Sequence, residues 1–257
     1  MLIDTHCHLA NNRLYPQLAQ VVKEATNMGV PTIICAAATI EESQKAQEIA
    51  KQYDNIFCHA GLHPHDASDL TERSLTEISE LLQFEKCVAL GEIGLDYHYD
   101  YSPRKVQQEA FATQLDLAKQ VNIPVVIHTR EASEDTIAIL NESLFPTDQI
   151  LFHSFTGGPE QAKICLDLGA IISFSGISTF KTAPEIRQSA KLCPTDRLVV
   201  ETDAPFLSPM PVRKIKVNTP GNVKYTAQLL ATERGETFED FSKFTTENAK
   251  RFFKLPL

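Results

Sequence analysis

The chain has 257 residues, a length that fits either one large domain or two ordinary ones. Acidic residues outnumber basic ones by 33 to 24, for a net charge of −9. This argues against a protein that coats duplex DNA through a basic surface, yet leaves room for an enzyme that grips a few phosphates beside bound cations. No apolar run reaches the ~20 residues needed to span a bilayer. Asp4, His6 and His8 interrupt the N-terminal stretch where a secretory signal would need its apolar core. None of the six cysteines forms a C-x-x-C pair, so they read as small buried hydrophobes in a reducing compartment. A cytoplasmic protein is expected, with no membrane segment and no obligate protein partner.

Along the chain, short apolar runs alternate with longer segments of helical character. The runs are Leu2–His6, Thr32–Ala37, Ile56–Gly61, Cys87–Gly91, Pro124–His128, Ile150–His153, Ala170–Phe174 and Leu198–Thr202. Each has the length and composition of a strand covered on both faces. Between them, Thr39 followed by Glu41 and Glu42 is a helix start, with acids at the positive end of the helix dipole. Pro103 is placed to sit in the first turn of a helix whose apolar face carries Ala110, Phe111, Leu115 and Ala118. Gly157-Gly158-Pro159-Glu160 opens another that ends near Gly169. The segment Pro205–Pro220 has no clear period and reads as a long loop, followed by closing helices from Gly221 to Phe253. No linker or composition break divides the chain. Eight strand–helix units therefore predict one α/β domain over residues 1–257, a (β/α)₈ TIM barrel.

In such a barrel the reactive side chains come from the C-terminal ends of strands and the loops that follow. Those ends read His6-Cys7-His8, His63-Pro64-His65, Gly91-Glu92, His128, His153 and Thr202-Asp203. His6 and His8 are two apart on an extended strand, which predicts that they share a face with Asp4 while Thr5 and Cys7 point away. Imidazole mixed with carboxylate suits borderline divalent ions. His6, His8, Glu92, His128, His153 and Asp203 offer six ligands, more than one ion needs. They fit two ions (Mg²⁺, Mn²⁺ or Zn²⁺) bridged by Glu92, an arrangement able to hold both oxygens of an in-line displacement at phosphorus.

The segments Ile3–His8, Gly61–His65, Gly91–Tyr97, Pro124–Glu131, His153–Gly157, Glu201–Leu207 and Thr246–Phe253 together resemble the TatD family of metal-dependent deoxyribonucleases, within the amidohydrolase-like barrel superfamily. The resemblance runs from first strand to last helix. It implies a divalent-metal hydrolase acting on DNA, often from the 3′ end of single strands. It also implies that His6, His8, Glu92 and Asp203 hold one ion and Glu92, His128 and His153 the other. Asp203 would act as general base and His63 as a phosphate contact. Glu201 has either a catalytic role or a place in a polar layer of the barrel. One departure is Thr219, which stands where the family commonly carries an acid, although Asn218 and Pro220 persist.

Further candidates lie at the same mouth. Arg130 is placed to reach a phosphate oxygen, and Arg213, Lys214 and Lys216 form a basic cluster in an acidic chain that can guide a nucleic-acid strand. Tyr97 leads a group with Tyr99 and Tyr101 able to stack an unpaired base. His59, inside its strand, reads as a core histidine. The alternative activity is hydrolysis of an amide or ester on the same cage, including deacylation of aminoacyl-tRNA, because fold alone does not decide chemistry. A metal-holding scaffold without turnover is a further, non-enzymatic reading. Glu92, where many amidohydrolase-like sites carry a carboxylated lysine, and the Arg130 and Arg213–Lys216 cations favour phosphodiesters.

Overall fold

A computed structural model describes residues 1–256. Eight strands form one parallel sheet in sequence order: β1 Ile3–Cys7, β2 Thr32–Cys35, β3 Ile56–Ala60, β4 Cys87–Asp96, β5 Val125–Arg130, β6 Ile150–Phe152, β7 Ile171–Phe174 and β8 Leu198–Val200. The sheet curls until β8 meets β1, where Asp203 N donates to His6 O and His8 N to Ala204 O. The result is the predicted barrel. Helices α1 Leu18–Asn27, α2 Ile40–Gln52, α3 Glu72–Leu81, α4 Arg104–Val121, α5 Ser133–Ser143, α6 Pro159–Asp167 and α7 Pro184–Leu192 join successive strands; α8 Val223–Arg234 and α9 Phe238–Phe253 close the chain.

Local sequence sets the helix starts. Thr39 accepts from Glu42 N ahead of α2, as read from the sequence. Pro103 is the N-cap residue of α4, one position before the first turn. Pro159 sits at the start of α6 as expected. The Asp203–Pro220 stretch is indeed loop apart from local turns, and buried Asn218 ties it down by donating to Thr202 O and Phe206 O.

The barrel interior has an apolar floor to which every strand contributes: Ile3, Ile34, Phe57, Ala89, Val126, Leu151, Ile171 and Val199, closed from below by Phe252 and Phe253 of α9. Two residues further along β1, β3, β5, β6, β7 and β8 stand Thr5, His59, His128, His153, Ser173 and Glu201. Strand alternation therefore puts these side chains on the same inward face, one layer above the floor.

His6 and Glu92 break that register, and the sheet explains how. Asp4 pairs with Ile33 and Cys7 with Cys35, so β1 carries one extra residue against β2. Likewise Leu90 pairs with Val125 and Ile93 with Ile127, giving β4 one extra residue against β5. Such bulges re-aim side chains. Here they turn His6 and Glu92 inward, where a regular strand continuing from Ile3 or Ala89 would point them out. The expectation of simple alternation in β1 is thus corrected. Thr5 faces inward, bonding Ser173 across the barrel, and Asp4 is engaged by the N and Oγ1 of Thr202 rather than joining His6 and His8.

β4 runs five residues past its predicted end because pairing with β5 resumes after the bulge, with Gly94 opposite His128 and Asp96 opposite Arg130. Gly94 has φ +135°, and a Cβ there would lie 2.0 Å from His128 O. Only glycine lets the two backbones approach this closely.

Candidate metal centre

Glu92, almost fully buried, sits at the centre of the layer above the floor. Its two oxygens face two different sets of side chains. Oε2 lies 3.4 Å from His6 Nε2 and 3.7 Å from His8 Nε2, and His8 Nε2 is 3.4 Å from Asp203 Oδ1. Oε1 lies 2.7 Å from His153 Nε2, 2.9 Å from His128 Nδ1 and 3.3 Å from His63 Nε2. All six ligand candidates converge on one spot, drawn from β1, β4, β5 and the segments following β1, β6 and β8.

Hydrogen bonds on the outer side of the cluster orient the rings. His153 Nδ1 is 3.2 Å from Glu201 Oε1, and His128 Nε2 is 3.1 Å from Asp96 Oδ2. Each ring therefore lies between two carboxylates, Glu92 on its inner nitrogen and Glu201 or Asp96 on its outer one; a neutral ring with its proton on the outer side would turn a lone pair inward, toward a bound cation. The inner nitrogens, His128 Nδ1 and His153 Nε2, are 3.2 Å apart. On the other side, His6 Nε2 and His8 Nε2 are 3.3 Å apart. Nitrogens this close together around a shared carboxylate can be matched by protons or by a cation. The donor set fits a divalent ion, and three groups of His and carboxylate ligand atoms are close enough to hold one: His6, His8 and Asp203; His6, His153 and Glu201; and, sharing no residue with these, His63, Glu92 and His128.

His63 differs. Its Nδ1 accepts from His65 N at 3.1 Å, so a neutral ring carries its proton on Nε2 and turns a donor, not a lone pair, toward the site. Burial lowers the His63 pKa to about 4, which keeps the ring neutral.

Electrostatics point the same way. Burial pushes the Glu92 carboxyl up, but the surrounding His153, His63 and His128 outweigh it and hold the group well below the ordinary carboxylate range. Burial opposes charge on His153 as well, yet Glu92 and Glu201 on either side raise its pKa well above that of a free histidine. The pocket demands positive charge at that ring, which a bound cation supplies in place of a proton.

The remaining candidates are distributed around this centre. Glu201 is fully buried and accepts from Ser154 N at 2.8 Å and from Ser173 Oγ as well as facing His153. His59 is a core histidine; Nδ1 meets Gly91 O at 2.6 Å, whereas Nε2 has no partner among the described residues. Tyr97 is half-buried, its hydroxyl donates to Asp135 and accepts from Gln108, and Arg104 covers its ring at 4.4 Å. The ring surface offered to solvent belongs instead to Tyr99 and Tyr101, 46% and 69% exposed and stacked at 5.3 Å. Arg130 is exposed with its guanidinium 4.8 Å from the Tyr99 ring. Arg213 lies over Phe180 at 4.3 Å; Lys214 and Lys216 are exposed beside it.

Two features were not singled out as site residues from sequence. Asp96 is buried and bridges His128 to His65, whose Nε2 lies 3.0 Å from Asp96 Oδ2. Only its distance of four residues from Glu92 hinted at this, and that hint depends on β4 continuing past the bulge. Phe206, 42% exposed, stands 6.1 Å from the His8 ring.

A closed parallel barrel whose strand ends converge on a buried cluster of histidines and carboxylates is the architecture of a metal-dependent hydrolase. The family described as TatD related DNase matches residues 3–254, and the chain belongs to it. It is 43% identical to the uncharacterized metal-dependent hydrolase YabD of Bacillus subtilis, over 99% of this chain and all of that one. It is 32% identical to a protein of Shigella flexneri named 3'-5' ssDNA/RNA exonuclease TatD, over 99% of each. The TatD homologue YJJV of Escherichia coli has the same fold, with a TM-score of 0.94 and 28% identity over 99% of this chain and 98% of that one.

Proposed function

We propose that residues 1–257 form a single catalytic domain that hydrolyses phosphodiester bonds in DNA, working from the 3′ end of single strands with two divalent ions, Mg²⁺, Mn²⁺ or Zn²⁺. The observation that carries this reading is the division of Glu92, one oxygen facing His6 and His8, beside which Asp203 stands, and the other facing His128 and His153. Ions held by these residues would supply an ionised water near neutral pH and neutralise charge on the phosphate. The family description and the exonuclease name of the Shigella flexneri relative support the choice of substrate.

Each side chain then has a task. Asp203, its side chain 16% exposed on the mouth side of His8, takes the proton from the attacking water. His63 donates from Nε2–H to a phosphate oxygen, the role its tautomer leaves it. Glu201 holds His153 in the tautomer that binds through Nε2. Arg130, Arg213 and Lys214 attract the strand to the mouth, and Tyr97 supports the aromatic segment after β4. A cytoplasmic location goes with this reading, supported by six buried, unpaired cysteines.

The test is incubation of metal-stripped protein, resupplied with each ion, with single-stranded DNA labelled at its 5′ end. A ladder shortening progressively from the 3′ end is expected, and absent in Asp203→Asn. Intact DNA with every ion, alongside hydrolysis of an aminoacyl ester, would replace the nuclease reading with the esterase one.

A further inference from the structure

The mouth of the barrel carries two exposed aromatic shelves, each paired with a guanidinium, on opposite rims. One consists of Tyr99 and Tyr101 after β4, with Arg130 from β5 lying 4.8 Å over the Tyr99 ring. The other is Phe206 after β8, with Arg13 from the loop after β1 at 5.6 Å from its ring. In an eight-stranded ring, β4 and β8 are four strands apart, as are β5 and β1, so the shelves face each other across the site.

Each shelf also abuts a different half of the Glu92 cluster. Phe206 meets His8, which belongs with the Oε2 half. Tyr99 and Tyr101 pack edge-on against His65, at 5.4 and 4.7 Å, and His65 in turn touches His63 at 4.2 Å, on the Oε1 half. Neither Arg13 nor Arg130 makes a salt bridge among the described residues, so both guanidinium groups are available to an anion.

Resting on the nuclease reading, we infer that these shelves are two base-stacking subsites that bind the nucleotides on either side of the scissile phosphate. One base stacks on Tyr99 and Tyr101, with the adjoining phosphate on Arg130. The base across the cleaved bond stacks on Phe206, with its phosphate on Arg13. Aromatic faces recognise any unpaired base and cannot reach one already stacked inside a duplex. The mouth thereby selects a single strand that crosses it, with the dinucleotide step as the recognised unit. Tyr97 is not a platform, because its ring is half-buried and its hydroxyl is held by Asp135 and Gln108.

The test measures binding by fluorescence anisotropy of a short fluorescein-labelled oligothymidylate, about eight nucleotides, within the footprint of a single-strand site. Its linkages are phosphorothioate so that it survives with wild-type protein in Mg²⁺. Stacking losses of about 1–3 kcal/mol per base predict roughly five- to 150-fold weaker binding for the Tyr99→Ala/Tyr101→Ala pair, and separately for Phe206→Ala. Tyr99→Phe should bind as wild type, since the ring and not the hydroxyl does the work. A strand abasic at one position should lose sensitivity to one shelf only. All three positions are exposed, and unchanged melting temperatures verify that the variants fold. If wild type binds the strand while all variants bind equally well, the subsites are refuted and the nuclease reading stands. If wild type binds no single strand, both fall together.

Discussion

Single residues around the Glu92 cluster differ in how directly they act. Asp96 touches no ligand position of its own, yet its Oδ2 holds the outer nitrogen of His128 while Oδ1 accepts from His98 N and Tyr99 N, both at 3.0 Å. Asp96→Asn keeps the shape but can present an amide donor where a carboxylate fixed the ring. Outer partners of this kind typically cost ten- to 100-fold in metal affinity when changed. Titration of the stripped variant with Mn²⁺ should show one of two binding steps weakened by about that factor; unchanged affinities would reduce Asp96 to a loop anchor. Glu201→Gln should act the same way through His153, with its buried amide also costing the bond from Ser154 N. That the candidate ligands gather at one spot was legible in the sequence, because histidine and carboxylate at the ends of predicted strands have few other reasons to be there. Asp96 was not, since its partner lies 32 residues away on the neighbouring strand.

At the scale of elements, six of the inward-facing positions follow from alternation alone, while His6 and Glu92 follow from bulges that no periodicity announces. The helix starts marked by Thr39 and Pro159 could be read because they are local chemistry. The extension of β4 could not, because it depends on how closely Gly94 lets β4 approach His128. Gly94→Ala should therefore be among the most damaging changes outside the site itself. Overpacking against backbone costs about 3 kcal/mol or more, and thermal unfolding of the variant should show a clear loss along with weakened metal binding at His128. A melting temperature equal to wild type would mean that the strands are less tightly apposed than described.

The loop after β8 depends on Asn218, whose side chain spans Thr202 O and Phe206 O while accepting from Asn222. Asn218→Ala leaves these buried groups without partners, at about 1–3 kcal/mol. It should also raise KM more than it lowers kcat, since the loop carries Phe206, Arg213 and Lys214 rather than the reacting atoms.

For the molecule as a whole, the candidate ion ligands tie β1, β4 and β5 to the segments after β6 and β8, across the seam where the barrel closes. An ion bound there stabilises the folded state by mass action, so chelation should lower the melting temperature and Mn²⁺ or Zn²⁺ restore it. Acid acts on the metal-free protein through His59 and His63, both lowered by burial to about 4. As pH falls below about 6.5 the unfolded chain takes up protons on these rings, whereas the folded chain does not until about pH 4. The stability that these two rings contribute is therefore full above pH 6.5 and is lost down to pH 4, on the order of 3 kcal/mol for each ring, while His153, whose pKa is raised, contributes in the opposite sense. Denaturant unfolding across that range should show the decline, with a smaller one in His59→Gln. A profile in His59→Gln identical to that of wild type would mean that the His59 ring protonates in the folded state.

The most direct measurement is single-stranded DNA cleavage by stripped protein as Mn²⁺ is added in known equivalents. With two ions seated on the two oxygens of Glu92, activity should rise to a plateau at two equivalents per chain and be lost in Glu92→Gln. A plateau at one equivalent, or intact DNA at every ratio despite bound metal, would contradict the account.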